Sequence, residues 1–358
     1  MRVLVLTTAA SWTPSVRLAI TLGAELAARG DIVTVACLSQ GVLERATEAT
    51  FPRLAVRGIT GQGGLARIRS ARGIVAALRP DAVLVQSEND ALLAAMATGR
   101  RGGVVRRWCV GEDALDARPA ARTWRTRLAG SCAHLTSWGR DPIAVSWPGP
   151  PPRAARTGTR SSESVPTALW IVPPVEHDER TAVALRAAAR LVGRHPSLRI
   201  VLLGDLATLQ STRVHAASLG LSAFVQVASI DTLLMADEVE AAAVWVTADG
   251  DEGAIATIAA MQRGIPVVVP AALACSSLVA SRITGFVTSD ADLSAVVAEL
   301  ARLISDRHEF EVMGDAASAR ALRLHDWQRF VDDAADVLSR ASGTRIPSAA
   351  IRPTLTSA

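Results

Sequence analysis

Residues 244–269 constrain this chain more than any other stretch. Residues 244–247 read as a short buried strand and residues 265–269 as another. Between them, residues 249–253 form a glycine-punctuated turn with three carboxylates, and residues 254–263 a helix of small side chains. Gly264 stands where a helix ends on a left-handed residue. Two buried strands joined through a helix lie parallel, because the return path needs a crossover. The same unit recurs along the chain. Strands are expected at 2–7, 32–37, 54–59, 80–86, 103–108 and 142–146, with helices at 15–28, 68–78, 89–98 and 122–135. A second series has strands at 168–172, 198–203, 224–227 and 285–287 besides the two above, with helices at 179–193, 206–219, 292–305 and 327–341. This alternation predicts an α/β chain of doubly wound parallel sheets.

Composition places the boundary between the two series. Residues 148–166 are rich in Pro, Gly and Ser and read as a linker. The expected organisation is a Rossmann-like domain over 1–147, the linker, a second such domain over 167–342, and a disordered tail over 343–358. Two open sheets joined this way face each other across a cleft at the carboxyl ends of their strands.

All 38 basic side chains are Arg, and Tyr is absent, so every cationic role falls to guanidinium groups. These suit bidentate phosphate contacts and serve poorly as proton donors or acceptors. The net charge of +4 is too mild for a dedicated nucleic-acid binder. Eight arginines between Arg100 and Arg127 form either a solvated face or a surface for anionic lipid or an anionic acceptor. Cys37, Cys109, Cys132 and Cys275 have no metal-type spacing and read as small buried hydrophobes. The first residues do not form a signal peptide, and no run is long and apolar enough to span a bilayer. A cytoplasmic protein, in contact with the membrane at most peripherally, is expected.

A turn that feeds a helix start aims several backbone N–H groups at one spot, which suits a phosphate or a sugar hydroxyl. Gly253, Ala254 and Ile255 are the expected amide donors, and Asp251 and Glu252 the expected partners of sugar hydroxyls, with Thr257 a further candidate. In the first domain Ser15 either caps the first helix or lines the cleft, and Arg17 either faces the cleft or packs in the helix. Ser87 and Glu88 either cap a helix or meet acceptor hydroxyls. Trp108 offers a stacking face, with Arg107 beside it.

Residues 259–268, Ala-Ala-Met-Gln-Arg-Gly-Ile-Pro-Val-Val, resemble the nucleotide-sugar loop of retaining glycosyltransferases of the GT-B fold, glycosyltransferase family 4. Further likenesses are Gly30-Asp-Ile-Val-Thr-Val35, Arg79-Pro-Asp-Ala-Val83 and Ile200-Val-Leu-Leu-Gly-Asp205, the last bringing Gly204 and Asp205 into the candidate site. The resemblance covers roughly residues 1–342. It implies a metal-independent transferase with no cofactor, taking a nucleotide-sugar on the second domain and a carbohydrate or lipid-linked acceptor on the first. It places the first of two family glutamates at Asp251, with Glu252 beside it. The second falls on Ala259, where the family's ribose contact has no counterpart. The family's Arg and Lys after the first strand of the donor domain are absent, leaving Arg180 or His177 to substitute, together with Arg17 and Arg107. These departures leave two readings: a transferase, or a non-catalytic protein of the same fold that supports a partner. An epimerase of the same shape is a third, without the paired carboxylates and His that its chemistry wants.

Overall fold

The computed structural model describes residues 1–10, 12–85, 87–98, 104–108, 136–138, 167–174, 178–204, 209–235, 239–289 and 293–342. The first domain holds strands β1 (Arg2–Leu6), β2 (Ile32–Leu38), β3 (Ala55–Ile59), β4 (Ala82–Val85), β5 (Val104–Trp108) and β6 (Thr136–Trp138). Its helices are α1 (Pro14–Ala28), α2 (Val42–Thr50), α3 (Gly64–Leu78) and α4 (Glu88–Thr98). The second domain holds β7 (Ala168–Val172), β8 (Arg199–Leu203), β9 (Val225–Ala228), β10 (Ala243–Val246), β11 (Val267–Pro270) and β12 (Gly285–Thr288). Its helices are α5 (Glu179–Arg194), α6 (Gln210–Ser218), α7 (Ile230–Met235), α8 (Gly250–Gln262), α9 (Leu293–Ser305), α10 (Arg307–Leu324) and α11 (Trp327–Ser342).

All strand pairs are parallel, and both sheets have one topology. The first runs β3-β2-β1-β4-β5-β6, the second β12-β11-β10-β7-β8-β9. Counted within each domain, both orders are 3-2-1-4-5-6, the doubly wound arrangement whose order reverses beside the first strand. Register follows the apolar runs: Val3 pairs with Val33 on one side and Ala82 on the other, Val244 with Trp170 and Val267. Strands apolar on every residue need cover on both faces, and helices supply it. One core lies between the first sheet and α3 with α4, and another between the second sheet and α5 with α9 and α10. The third is shared by both domains. It joins Val16, Ala19 and Ile20 of α1 to Ala254, Ile258 and Ala259 of α8 and to Trp327, Phe330 and Leu338 of α11.

Two expectations change here. The cleft does not separate the domains everywhere, because α1 packs directly on α8. Helix α11, expected within the second domain, crosses to the first and packs on α1, β4 and β5. Arg29 on the edge of α1 fixes the crossing, bonding Asp332 at 2.5 Å and Gln328 at 3.1 Å. The domain boundary therefore falls before α11 in packing terms. Helices α2, α7 and α10 and strand β6 are present without having been expected. The linker, the tail, the expected helix at 122–135 and the expected strand at 142–146 lie outside the described residues, as do most of the arginines between 100 and 127. Cys37 and Cys275 are buried free thiols, each pushed up to about 12, first of all by burial. Among the described residues no helix is long and apolar enough to cross a membrane.

Candidate functional site

The turn after β10 is anchored on the end of β7. The carbonyl of Val172 accepts from the amides of Thr247 at 2.9 Å and Ala248 at 3.0 Å, and from the Thr247 hydroxyl at 3.3 Å. The Thr247 hydroxyl also meets that of Thr181, on α5, at 2.9 Å. Asp249 then caps α8, its Oδ1 accepting from the Gly250 amide at 2.8 Å. Gly250 takes a φ of +59°, a left-handed conformation that lets the chain enter the helix at once. The turn is thus shorter than the sequence suggests, and residues 251–253 already lie in the first helical turn.

This shortening corrects the expected amide donors. The Gly253 amide bonds the Asp249 carbonyl at 3.3 Å, and Ala254 and Ile255 follow it inside the helix with 0 % and 1 % of their surface exposed. Their N–H groups belong to the helical ladder and face no ligand, since only the first turn of a helix leaves amides open. Thr257 is also buried, its hydroxyl donating to the Gly253 carbonyl at 2.8 Å. Gly253 is required for a different reason: a Cβ there would lie 2.1 Å from the Ala248 carbonyl oxygen.

Arg180 is the cation that the fold brings to this corner. It sits in the first turn of α5, whose cap Asp178 accepts from the Thr181 amide at 2.9 Å and the Thr181 hydroxyl at 3.0 Å. The guanidinium bridges two helix caps, donating from Nε to Asp178 at 2.6 Å and from Nη1 to Asp249 at 3.2 Å. Burial disfavours both the Asp178 and Arg180 charges. For Asp178, hydrogen bonds from Thr181 and Arg180 outweigh it and hold the carboxyl below its usual range. For Arg180, the bonds to the two aspartates outweigh it and raise the guanidinium further. Two helix N-termini thus meet at one positive group, at the carboxyl ends of the adjacent strands β7 and β10.

Glu252 reaches the first domain. Its Oε1 accepts from the Ser15 hydroxyl at 2.7 Å. Burial pushes its carboxyl up, against hydrogen bonds from the Ser15 hydroxyl, the Thr13 hydroxyl and the Ser15 amide. Part of the side chain reaches solvent, yet Oε2 is sealed and has no hydrogen-bond partner. Ser15 is not the cap of α1. Pro14 occupies the first helical position, so the cap is Thr13, which accepts from the Val16 amide at 3.4 Å. That shift frees the Ser15 hydroxyl for the second domain.

Arg17 turns away from the corner. Only 7 % exposed, it lies over the rings of Trp12 at 4.9 Å and Phe51 at 5.3 Å. Its Nε is 3.8 Å from Asp231 of α7, whose carboxyl is pushed up by burial against the attraction of Arg17 and a hydrogen bond from Trp12. Arg17 is therefore an interdomain contact and not a second cation beside Arg180. Ser87 accepts from the Asp90 amide at 3.1 Å, which settles it as a helix cap. Asp90, which the sequence places in the polar stretch 86–90 without singling it out, turns inward to the first strand's loop. Its carboxylate, 2 % exposed, takes the Thr8 amide at 2.7 Å and the Thr8 hydroxyl at 2.6 Å, and so shapes the loop after β1. The signal was an acid in the first turn of an expected helix, beside a strand end. Gly204 ends β8 with a φ of +155° and donates to the Ala228 carbonyl at 2.9 Å. Asp205 and His177 lie outside the described residues, as do the side chains of Glu88, Arg107, Trp108 and Asp251. Among the described residues no three metal-ligating side chains gather.

Residues 167–320, most of the second domain, match the family described as Glycosyl transferases group 1. No curated protein sequence matches the chain. Solved structures match nearly all of it. HepE of Anabaena, in complex with UDP-glucose, superposes with a TM-score of 0.68 at 14 % identity, covering 95 % of this chain and 100 % of that one. A glycosyltransferase from Rickettsia africae gives 0.66 at 11 %, covering 95 % and 98 %. A putative UDP-N-acetylglucosamine 2-epimerase from Listeria monocytogenes gives 0.66 at 16 %, covering 98 % and 99 %. At such identities the likeness concerns fold, and that fold carries more than one reaction. The chain has the GT-B fold of two Rossmann-like domains, with a glycosyl transferases group 1 match over residues 167–320.

Proposed function

We propose that the protein transfers a sugar from a nucleotide-sugar donor to a carbohydrate or lipid-linked acceptor, with retention of anomeric configuration. The donor occupies the second domain and the acceptor the first. The observation that carries this reading is Arg180, bridging the capped N-termini of α5 and α8 beside the reversal of strand order. Support comes from the glycosyl transferases group 1 match on that domain, the likeness of residues 259–268 to the family 4 loop, and a fold relative solved with UDP-glucose.

Breaking the bond between the sugar and the diphosphate leaves negative charge on the departing oxygen. A fixed guanidinium and two helix N-termini stabilise such charge without reorganising. Arg180 serves this role by exchanging an aspartate partner for phosphate. Glu252, which here holds the hydroxyls of Thr13 and Ser15, holds sugar hydroxyls once α1 yields them. The reading needs no metal and no cofactor. The test is thermal melting with nucleoside diphosphates and their sugars. One base should raise the melting temperature, and Arg180→Gln should weaken that ligand about 10- to 100-fold, the worth of a charged hydrogen bond. Product stereochemistry, read by proton NMR, tests retention.

The geometry also favours a second reading, a non-catalytic GT-B protein that scaffolds or regulates a partner. Arg180 is already matched by two carboxylates, Glu252 is already taken by α1, and Ala259 is fully buried where the family has a glutamate. Absence of stabilisation by every nucleotide and nucleotide-sugar at millimolar concentration decides for this reading.

A further inference from the structure

Residues 49–80 contain six arginines and no Asp or Glu. The run covers β3, the edge strand of the first sheet, and all of α3. Arg53, Arg57, Arg69, Arg72 and Arg79 are exposed, and Arg67 is partly so. None of the six forms an ion pair among the described residues. Arg67 and Arg72 are held in place by carbonyls, their Nε atoms donating to Gly61 at 3.3 Å and to Met96 at 3.0 Å.

Helix α3 buries Ala71 and Val75 and half-buries Ile68, Ile74 and Leu78 against the first domain's outer core. Its outward face reads Leu65, Arg69, Arg72 and Ala76, at i, i+4, i+7 and i+11, and all four are exposed. Leu65 is the most exposed large apolar residue of the described chain, at 73 %. A leucine at the tip of a helix, among arginines with no carboxylate on the same run, suits a surface that is anionic outside and apolar just beneath. A polyanion such as nucleic acid would meet the charges and leave Leu65 unused. The carboxylates that flank the run are engaged elsewhere or lie on another face: Asp81 takes the amide and guanidinium of Arg2, and Glu44 and Glu48 sit on α2, which packs on the other face of β3. Parallel topology puts the first turn of α3 at the carboxyl end of the sheet, the end from which α1 meets the second domain.

We infer that the β3–α3 edge of the first domain docks on an anionic lipid bilayer, with Leu65 entering the headgroup layer and the arginines meeting lipid phosphates. This surface shares no residue with the Arg180 corner and stands whether or not the chain transfers sugars.

The test is co-sedimentation of the full-length protein with vesicles of phosphatidylcholine, alone or mixed with phosphatidylglycerol. Binding should require the anionic lipid and weaken as salt rises. Each arginine near such a surface is worth about fivefold in partitioning, so Arg69→Glu with Arg72→Glu should lower binding by roughly 25-fold or more. Leu65→Ser should lower it while leaving the salt dependence unchanged. All three side chains are exposed and only Arg72 gives up a hydrogen bond, to the Met96 carbonyl, so the melting temperature should fall little, and it is measured alongside. Equal binding to both vesicle types, no binding to either, or full binding by the double variant overturns the proposal. So does a preference for duplex DNA over the anionic vesicles at equal ionic strength.

Discussion

Replacing Glu252 by Gln tests whether burial governs this carboxylate. The amide keeps the length and an oxygen to accept from Ser15, and removes the charge. Wild-type Glu252 titrates in the unfolded chain near 4.5 and higher in the folded protein, chiefly through burial. The native state therefore binds its proton more tightly than the unfolded state. Its stabilising effect is fully present below the unfolded value and is lost as pH rises through the folded one. The Glu252→Gln variant has no such titration. The stability difference, variant minus wild type, should climb with pH from about 4.5 by up to about 1.4 kcal/mol per pH unit, then level off above the folded value. Asp90 and Asp231 are also pushed up by burial, but they titrate in both proteins and cancel in the difference. The assay is urea unfolding followed by tryptophan fluorescence, with midpoints and slopes at several pH values. Parallel stability profiles for the two proteins would refute a buried, destabilised carboxylate at the α1–α8 contact.

Other positions give sharper stability effects. Phe330→Ala removes a fully buried ring whose centroid is 5.5 Å from that of Trp327. It should cost about 3–5 kcal/mol by denaturant midpoint and loosen α11 from the first domain, raising amide exchange in α1. Gly253→Ala should lower the melting temperature steeply, because a Cβ 2.1 Å from a backbone carbonyl forces α8 to shift; an unchanged melting temperature would show that the turn relaxes freely. Ala259→Glu should destabilise by roughly 3–5 kcal/mol, the cost of an unpaired charge in a closed core, read by the same unfolding curves.

Much of the fold was legible because its signals are local. Runs such as Val3-Leu-Val-Leu6 and Val267-Val-Val269 are apolar on every residue, which only a strand covered on both faces explains. Gly264, with a φ of +64°, ends α8 as expected, and Asp326 accepts from the Arg329 amide to start α11. Helix α10 was also written in the chain: Asp306 caps the amide of Glu309, and Phe310, Met313, Ala317 and Ala321 follow at helical spacing. Its polar residues dilute that stripe, which is why periodicity alone does not pick it out. Helix α2 buries only Leu43 and Thr47, too little for any periodic signal. The site was less legible because it depends on exact starting points. Thr-Pro-Ser at 13–15 does signal a cap before the proline, yet only the fold shows what the freed Ser15 hydroxyl then meets. Nothing local tells that Gly250 will turn left-handed and draw residues 251–253 into a helix.

The departures from the resembled pattern at residues 252–260 meet in one contact. Ala254, Ala256, Ala259 and Ala260 are each 0 % exposed, within the core that α8 shares with α1. Small side chains let two helices approach closely, and a glutamate at 259 would bring into that core a charge with no partner. Ala259, where the resembled family has a glutamate, thus lies within the core through which α1 and α8 meet. Glu252 lies at the edge of the same contact, its Oε1 accepting from the Ser15 hydroxyl, a group of the kind a sugar presents, while its Oε2 stays without a partner. If the proposed function holds, donor binding and the α1–α8 contact compete for one side chain. On that reading, whatever frees Glu252 from α1 must precede the engagement of a sugar there, and access to the site is set by the first turn of α1 as much as by the second domain.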